Sequence, residues 1–409
     1  MQLSDINLVD PDAFVEGVPH DQFTLLRHEA PVFWHEDEHG GFWALTKHDD
    51  VVHANRDAKT FSSYARSALY NVETEEQLAG VRLMMLNLDP PDHTKLRKIV
   101  NRGFTPRRIK ELQQSLVDRS REIVDDIAEA GACDFVTEVA CELPLQAIAD
   151  LIGIPQEDRH KVFDWSNRLI GFEDPEFGNT EEEAGAAAVE LYAYAQELAE
   201  DRRKNPRDDI ITNLLDANID GDALDDMEFN MFFMLLAVAG NETTRNAISH
   251  SMLALMQHPE QRQLMLDDPS LIDSAIEEFL RWATPVMHFK RTALVDVEMR
   301  GQKIKAGDRV MMWYSSANRD EEVFEDPFAF NVKRDPNLHT LHSAFGGGGP
   351  HFCLGANLAR MEMKLIFDEL LRRIPDMQLA SEPSRLRSNF INGLKHMDVT
   401  FTPVARSNG

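Results

Sequence analysis

Cysteine is scarce: 409 residues hold only three, Cys133, Cys141 and Cys353. So few and so scattered, they form no disulfide framework and agree with a reducing compartment. Long apolar runs are missing too, and none approaches the ~20 residues that a bilayer-spanning helix needs. The first residues carry Asp5, Asp10, Asp12 and Glu16 instead of the cationic and then apolar pattern of a secretory signal, so a cytoplasmic location is expected. Basic charge is outweighed, 42 Lys plus Arg against 70 Asp plus Glu, a net charge of −28. Such a chain is a poor partner for nucleic acid or an anionic membrane.

What is present is an ordinary globular composition, 43% hydrophobic and 27% charged, enough for a large core. Length alone suggests two or three domains. The distinctive segments, however, run from residue 89 to residue 362, which favours one domain over 1–409, with most β structure in 1–63 and 290–409 and mostly helix in 90–285.

One thiol stands apart. In Phe345-Gly-Gly-Gly-Gly-Pro-His-Phe-Cys353-Leu-Gly-Ala-Asn-Leu-Ala-Arg-Met361, four glycines allow the chain to bend flat against a large planar ligand. From Ala356 onward, Leu358, Met361, Leu365 and Ile366 share one helical face. Cys353 therefore sits just before a helix start, where a thiolate is favoured. A lone cysteine is usually a small buried hydrophobe, and Cys133 and Cys141 fit that description. Zinc would need three or four ligands at short spacing, and no second cysteine lies near. A cysteine nucleophile with a base and an oxyanion hole stays open; a heme iron held by a single thiolate fits best.

Elsewhere the chain reads mainly as helix. The runs 31–34 and 41–46 suggest a β-hairpin, residues 64–84 read as a mobile loop, and helices are expected over 112–130, 143–152, 156–170 and 184–205. Residues 171–185, acidic and irregular, read as a flexible cover over a cavity. Strands are expected over 293–299 and 309–314, and 389–393 as a turn reaching back toward a bound substrate.

The longest helical run, about 225–257, is apolar on almost every side between Phe229 and Val238 and should cross the interior. Its centre, Ala239-Gly240-Asn241-Glu242-Thr243-Thr244, sets a glycine and a buried acid where a plain helix would avoid both. Farther on, Glu278 and Arg281 stand at i and i+3, a feasible ion pair. In Leu88-Asp-Pro-Pro-Asp-His93-Thr-Lys-Leu-Arg97, His93 and Arg97 lie i and i+4 on one face and could hold paired carboxylates. From Lys95 to Lys110 there are seven basic residues and no acidic one, a local inversion of sign in an acidic chain.

Together these segments resemble the cytochrome P-450 monooxygenases. In that family an aromatic residue, a glycine, a His or Arg and a second glycine bracket the ligating cysteine, matched here by Phe345, Gly349, His351, Cys353 and Gly355. Phe345 lies eight residues before Cys353 where the family has seven. The resemblance implies a mainly α fold with small β-sheets, a single large triangular prism, with heme between the long central helix and the cysteine loop. It makes Cys353 the iron ligand, sets Ala239, Gly240, Phe345, His351 and Gly355 against heme b, and gives its propionates to His93, Arg97 and Arg291. Glu242 and Thr243 match the acid and alcohol that deliver protons to O2. Glu278 and Arg281 match the brace of the heme loop, whose third member falls on Ala329 instead of arginine, leaving Arg334 as one replacement.

Family chemistry further implies electrons from NAD(P)H through external redox proteins. The basic stretch then suggests an acidic ferredoxin, with its reductase, docking near Lys95, Lys98, Arg102, Arg107 and Arg108. Apolar pocket residues are expected at Met231, Phe232, Met234, Leu235, Val238, Val286, Met287, Phe289, Phe390 and Ile391, favouring a lipophilic substrate. Residues 232–256 and 345–372 are similar to bacterial members that oxidise a terminal methyl of methyl-branched lipids or of the cholesterol side chain, and 285–293 and 386–395 to a linalool 8-hydroxylase. A non-catalytic heme-thiolate sensor is the competing class, and it would have no use for an acid–alcohol pair.

Overall fold

The computed structural model describes residues 1–69, 71, 74–101, 103–171, 173–177, 180–219, 222–334, 337–338 and 341–407. Its first helices are α1 (His20–Glu29), α2 (His48–Arg56), α3 (Glu75–Val81), α4 (Asp92–Val100), α5 (Pro106–Ala128), α6 (Glu142–Ile152) and α7 (Arg159–Ile170). There follow α8 (Glu181–Lys204), α9 (Ile210–Leu215), α10 (Asp226–Gln257), α11 (Pro259–Asp267), α12 (Ile272–Ala283), α13 (Tyr314–Ala317) and α14 (Ala356–Arg373).

Strands are short. β1 (Val32–His35) and β2 (Phe42–Leu45) form the expected hairpin; β3 (Phe61–Ser62), β4 (Ala132–Asp134), β5 (Asn218–Ile219) and β6 (Asp222–Ala223) come next. The later strands are β7 (His288–Ala293), β8 (Val297–Met299), β9 (Gln302–Ile304), β10 (Arg309–Trp313), β11 (Gln378–Leu379), β12 (Ser384–Arg385), β13 (Leu394–His396) and β14 (Asp398–Thr400). Five of them make the largest sheet, in the order β1-β2-β10-β7-β3, and the strand expected over 293–299 is instead the end of β7, a turn and β8.

Local chemistry explains the helix limits. Asp225 caps α10 by accepting from the amides of Met227 and Glu228 at 2.9 and 2.8 Å, while Glu228 accepts from the Asp225 amide at 2.9 Å. That reciprocal capping box starts a helix of 32 residues, about 48 Å at 1.5 Å per residue, and Pro259 opens the next one. α5 begins six residues ahead of the expected 112 because Thr105 caps it, accepting from the Arg108 amide at 3.3 Å, with Pro106 at its first position. The mobile loop expected over 64–84 contains α3, whose Thr74–Gln77 capping box was a readable signal; residues 70, 72 and 73 lie outside the described residues.

The main core gathers apolar faces of α5, α6, α8, α10, α12 and α14. The cover expected over 171–185 is firmly attached where described. Asp174, 1% exposed, accepts from the Arg387 amide at 2.8 Å and from Lys395 Nζ at 3.0 Å, and α8 already begins at Glu181. Residues 172, 178 and 179 are outside the described set. Among the described residues no helix is long and apolar enough to cross a membrane.

Candidate active site

Between α10 and the start of α14 lies a cavity of about 240 Å³. Ten of the eleven site residues expected from sequence line it: His93, Arg97, Ala239, Gly240, Thr243, Arg291, Phe345, His351, Cys353 and Gly355. Glu242 does not.

The cysteine loop depends on its glycines. Gly346, Gly347, Gly348 and Gly349 have φ of +94°, +63°, +104° and +81°, a region that side chains with a Cβ rarely adopt. A Cβ on Gly349 would stand 2.2 Å from the Asn55 carbonyl oxygen, and one on Gly348 2.8 Å from Arg56 Nε. The glycines were expected to lie flat against a ligand; only Gly346 lines the cavity, and the loop instead presses on the end of α2. The extra glycine does not displace the thiol, since the Cys353 amide still donates to the Phe345 carbonyl at 3.0 Å.

Cys353 is open toward the cavity while protein closes around it otherwise. Burial pushes its pKa up, and the amides of Gly355 and Ala356 with the charges of Arg97 and Arg360 oppose that without reversing it. The expected preference for thiolate is therefore a partial offset in the protein alone. Behind the loop, Arg360 lies 4.6 Å from the Phe345 ring centre and is gripped by Glu277 at 2.6 and 2.9 Å. Burial alone would raise Glu277, but hydrogen bonds from His342 and Arg360 bring it to about 2. Sequence reading had singled out its neighbour Glu278 and missed Glu277.

Opposite these backbone contacts, polar groups converge with little to bind. His93, 1% exposed, has no hydrogen-bond partner for either ring nitrogen among the described residues, and its ring centre lies 4.1 Å from that of His351, the two planes tilted by 47°. His351 Nε2 meets Ser63 Oγ at 3.2 Å, and Arg97 donates to the Phe352 carbonyl. Arg291 stands beside Phe289's face of β7, because residues two apart on a strand point the same way. Arg291 is 4% exposed, and among the described residues its guanidinium reaches the Lys290 carbonyl at 2.7 Å and Asn55 Oδ1 at 3.5 Å, and no carboxylate. Orphaned donors around one end of the cavity and a thiol facing its middle suit a planar metal cofactor carrying carboxylates. Heme has that shape and charge.

On α10 the cavity face follows the helical repeat: Leu235, Leu236, Ala239, Gly240, Thr243, Thr244 and Ala247. The Thr243 hydroxyl donates to the Ala239 carbonyl at 2.9 Å. Gly240 has a packing reason, since a Cβ there would lie 2.5 Å from Ile148 Cδ1 on α6. Glu242, 1% exposed, faces sideways: Arg245 donates to its Oε2 at 2.5 Å and to Asn167 Oδ1 on α7 at 2.9 Å. Burial raises the Glu242 pKa more than Arg245 lowers it.

Only Leu235, Val286 and Phe289 of the expected apolar pocket residues reach the wall. An apolar run on every side of a helix hides which side is the wall. Phe232 and Met287, each 1% exposed, belong to the core, and the sulfurs of Met231 and Met234 meet the Tyr192 hydroxyl at 3.4 and 3.6 Å. The turn at 389–393 reaches back to the wall's backbone, the Asn392 amide donating to the Pro285 carbonyl at 2.9 Å, without lining the cavity itself. Met85, Leu86, Phe104, Ile148 and Thr244 line it unforeseen, brought from four helices or turns by contacts distant in sequence.

The brace behind the loop is complete. Arg281 binds Glu278 through Nε at 2.7 Å and a terminal nitrogen at 2.8 Å, and also donates to the carbonyls of Asn318 and Pro327. Arg334 supplies the third member, its Nε 3.1 Å from Glu278 Oε2 and a terminal nitrogen 2.8 Å from the Ala329 carbonyl.

The cytochrome P-450 family profile matches residues 13–375. A steroid C26-monooxygenase of Mycobacterium tuberculosis is 48% identical over 98% of this chain and 94% of its own. A methyl-branched lipid omega-hydroxylase of Mycobacterium bovis is 45% identical, covering 98% of this chain and 95% of its own. Among solved structures, a Mycobacterium marinum cytochrome P-450 in complex with pseudoionone superposes with a TM-score of 0.90 at 40% identity, over 97% of this chain and 98% of that one. With fold, cavity and relatives in agreement, the chain belongs to the cytochrome P-450 family and is a monooxygenase that uses heme, O2, a lipophilic substrate and electrons from an external redox partner.

Proposed function

We propose that the chain, a single domain over 1–409 working in the cytoplasm, hydroxylates the terminal methyl of a methyl-branched, isoprenoid or sterol side chain. One observation carries this reading: Met85, Leu86, Phe104, Ile148, Leu235 and Phe289 give the cavity a broad apolar stretch of wall apart from its histidines and arginines. A long lipophilic chain is the ligand such a wall accepts. The names of the steroid and branched-lipid relatives point the same way. A terpene alcohol is the second reading, favoured by the isoprenoid ketone in the Mycobacterium marinum structure.

Heme b bound here would supply the oxygen chemistry, a thiolate ligand favouring O–O cleavage. Cys353 would hold its iron, and His93, Arg97, Arg291 and His351 its propionates. Phe345, Ala239 and Gly240, which line the cavity, would lie against it, and Gly355 stands at the N-cap of the helix that follows Cys353. Thr243 can release its Ala239 carbonyl to hold a proton toward the cavity, with Glu242 as the acid one residue earlier. Electrons would come from NAD(P)H through a reductase and an acidic ferredoxin near Lys95, Lys98, Arg107 and Arg108; Arg102, expected in the same patch, lies outside the described residues.

Spectral titration of the heme-loaded protein with a sterol, a branched fatty acid and an acyclic terpene alcohol tests the substrate, followed by product analysis. A terminal alcohol from the first two supports the reading. Turnover of the terpene alcohol alone transfers it to the second.

A further inference from the structure

Met85 and Leu86 line the cavity from a single helical turn, Met85–Asn87, while Phe289 and Arg291 line it from β7. These two parts of the wall are some two hundred residues apart in sequence. What connects them is the residue after Leu86.

Asn87 is 0% exposed and is not itself part of the cavity wall. Its Oδ1 accepts from the Ala68 amide at 2.8 Å and from the Ser67 hydroxyl at 3.5 Å, and its Nδ2 donates to the Val81 carbonyl at 2.9 Å. Three stretches of chain therefore meet at one side chain: residues 67–68, the end of α3 at Val81, and the turn that carries Met85 and Leu86. Ala68 passes the connection on. Its carbonyl accepts from the Lys290 amide at 2.9 Å, and Lys290 stands between the two wall residues of β7. A chain of hydrogen bonds thus runs from the Met85–Leu86 turn, through Asn87 and Ala68, to the strand that bears Phe289.

A neighbouring tie lies open to water. Arg82 Nε donates to the Tyr64 carbonyl at 2.9 Å and its guanidinium covers the Tyr64 ring at 4.1 Å, but Tyr64 is exposed. The Asn87 bonds are shut away from solvent, where a paired amide is held firmly and an unpaired one is costly. Leucine would occupy much the same space without that risk. A carboxamide kept there serves to fix position more than to fill volume.

We propose that Asn87 is a positioning residue for the substrate: by tying the Met85–Leu86 turn to β7 through Ala68, it sets the spacing of the cavity wall and so decides which carbon of a long chain reaches the reacting centre. A close-set wall admits the end of a chain and holds its internal carbons back. Without the carboxamide, the Ala68 amide and the Val81 carbonyl would be left unpaired in the interior, and the turn would give way to pair them elsewhere. The proposal rests on the terminal-methyl reading above and adds the device that enforces it.

The test compares full-length heme-loaded wild type, Asn87→Leu and Asn87→Asp. Amide hydrogen exchange reads the tie itself: Ala68 should exchange about 10-fold faster in Asn87→Leu, roughly the factor that one hydrogen bond contributes. Spectral titration with imidazole and with phenylimidazole needs no substrate and reads the spacing. Affinity for the bulkier ligand relative to the slimmer one should rise by about 10-fold in the same variant. With a methyl-branched fatty acid, the ratio of terminal to internal alcohol should fall by a similar factor, and a ratio is not moved by partial loss of folded enzyme. Asn87→Asp keeps the acceptor for the Ala68 amide and should fall between. Unchanged exchange at Ala68, or unchanged ligand and product ratios in Asn87→Leu, would overturn the proposal. Loss of heme from both variants would also overturn it, by assigning Asn87 to the fold; if only Asn87→Leu loses heme, the same readouts in Asn87→Asp decide. A wild type that makes no terminal alcohol sinks the substrate reading instead, and the two imidazoles still decide whether Asn87 spaces the wall.

Discussion

Arg281 and Arg291 are both buried, 0% and 4% exposed, yet one is saturated and the other nearly bare. Arg281 grips Glu278 with two nitrogens and spends its remaining donors on the carbonyls of Asn318, Pro327 and Ala329. Arg291 has one close carbonyl, that of its neighbour Lys290, and a long contact to Asn55. A buried cation with its carboxylate beside it holds elements of the protein together. One lacking a carboxylate, at the edge of a cavity, is prepared for an anion that arrives from outside. The two arginines thus separate scaffold from site, although both occur in short motifs of the same family.

The sharpest way to break that contrast is to remove Glu278. In Glu278→Gln two guanidiniums, Arg281 and Arg334, lose their shared carboxylate inside the protein, and about 3–5 kcal/mol of stability should go with it. A urea unfolding midpoint close to wild type would show that Arg281 does not depend on the pair. The opposite pattern is expected at the cavity. Arg291→Met removes a buried charge that has no carboxylate, so the heme-free protein should unfold at the same urea concentration or a higher one. Heme retention should fall by roughly 10- to 100-fold, matching about 1.5–3 kcal/mol for a hydrogen bond to a charged group. If both variants lost stability alike, Arg291 would be scaffold too.

The same division explains what could be read from the chain. Motifs whose members are neighbours in sequence brought their residues together: Cys353 with its glycines, His93 with Arg97, and Glu278 with Arg281, whereas at the centre of α10 Thr243 faces the cavity and Glu242 turns aside to Arg245. Their geometry is one loop or one helical turn. What escaped depends on elements meeting from afar. Arg334 closes the brace in place of Ala329 only because the segment after residue 326 folds over α12. Gly240 looked like a functional irregularity, whereas Ile148 from α6 leaves no room for a Cβ. Asn87 looks like an ordinary turn residue and gave no signal until Ala68 and Val81 met at it.

His93 carries the comparison into pH. Burial, then the charges of Arg97 and Arg291, push its pKa down from 6.5 to about 4, with Asp89 opposing. Because the folded value lies below the unfolded one, the unfolded chain takes up the proton first. The stability held by neutral His93 is therefore complete above pH about 6.5 and lost as pH falls toward 4. In the heme-free protein His93→Gln should flatten the fall in unfolding midpoint across that window. A propionate beside the imidazole would favour its charged form, so heme-loaded wild type should also show a flatter fall. Equal slopes in loaded and heme-free protein would mean that no carboxylate reaches His93.

The smallest effects lie on the surface, where the rule of paired and unpaired charges bears on encounter instead of folding. Arg107 is matched by Glu111 at 3.0 Å, and Arg108 by Glu111 and by Asp208 at 2.6 Å, so both offer a passing protein less net charge than the sequence suggests. Lys98 on α4 is exposed and has no carboxylate partner among the described residues. Since steering follows the local field, Lys98→Glu should slow reduction by an acidic ferredoxin more than Arg107→Glu does, by about 10-fold at low ionic strength, and weaken the salt dependence of the rate. Neither change should move the unfolding midpoint, because solvent screens exposed pairs. A larger effect at Arg107 than at Lys98 would relocate the docking surface toward α5, and equal rates in both variants would remove this face from electron delivery.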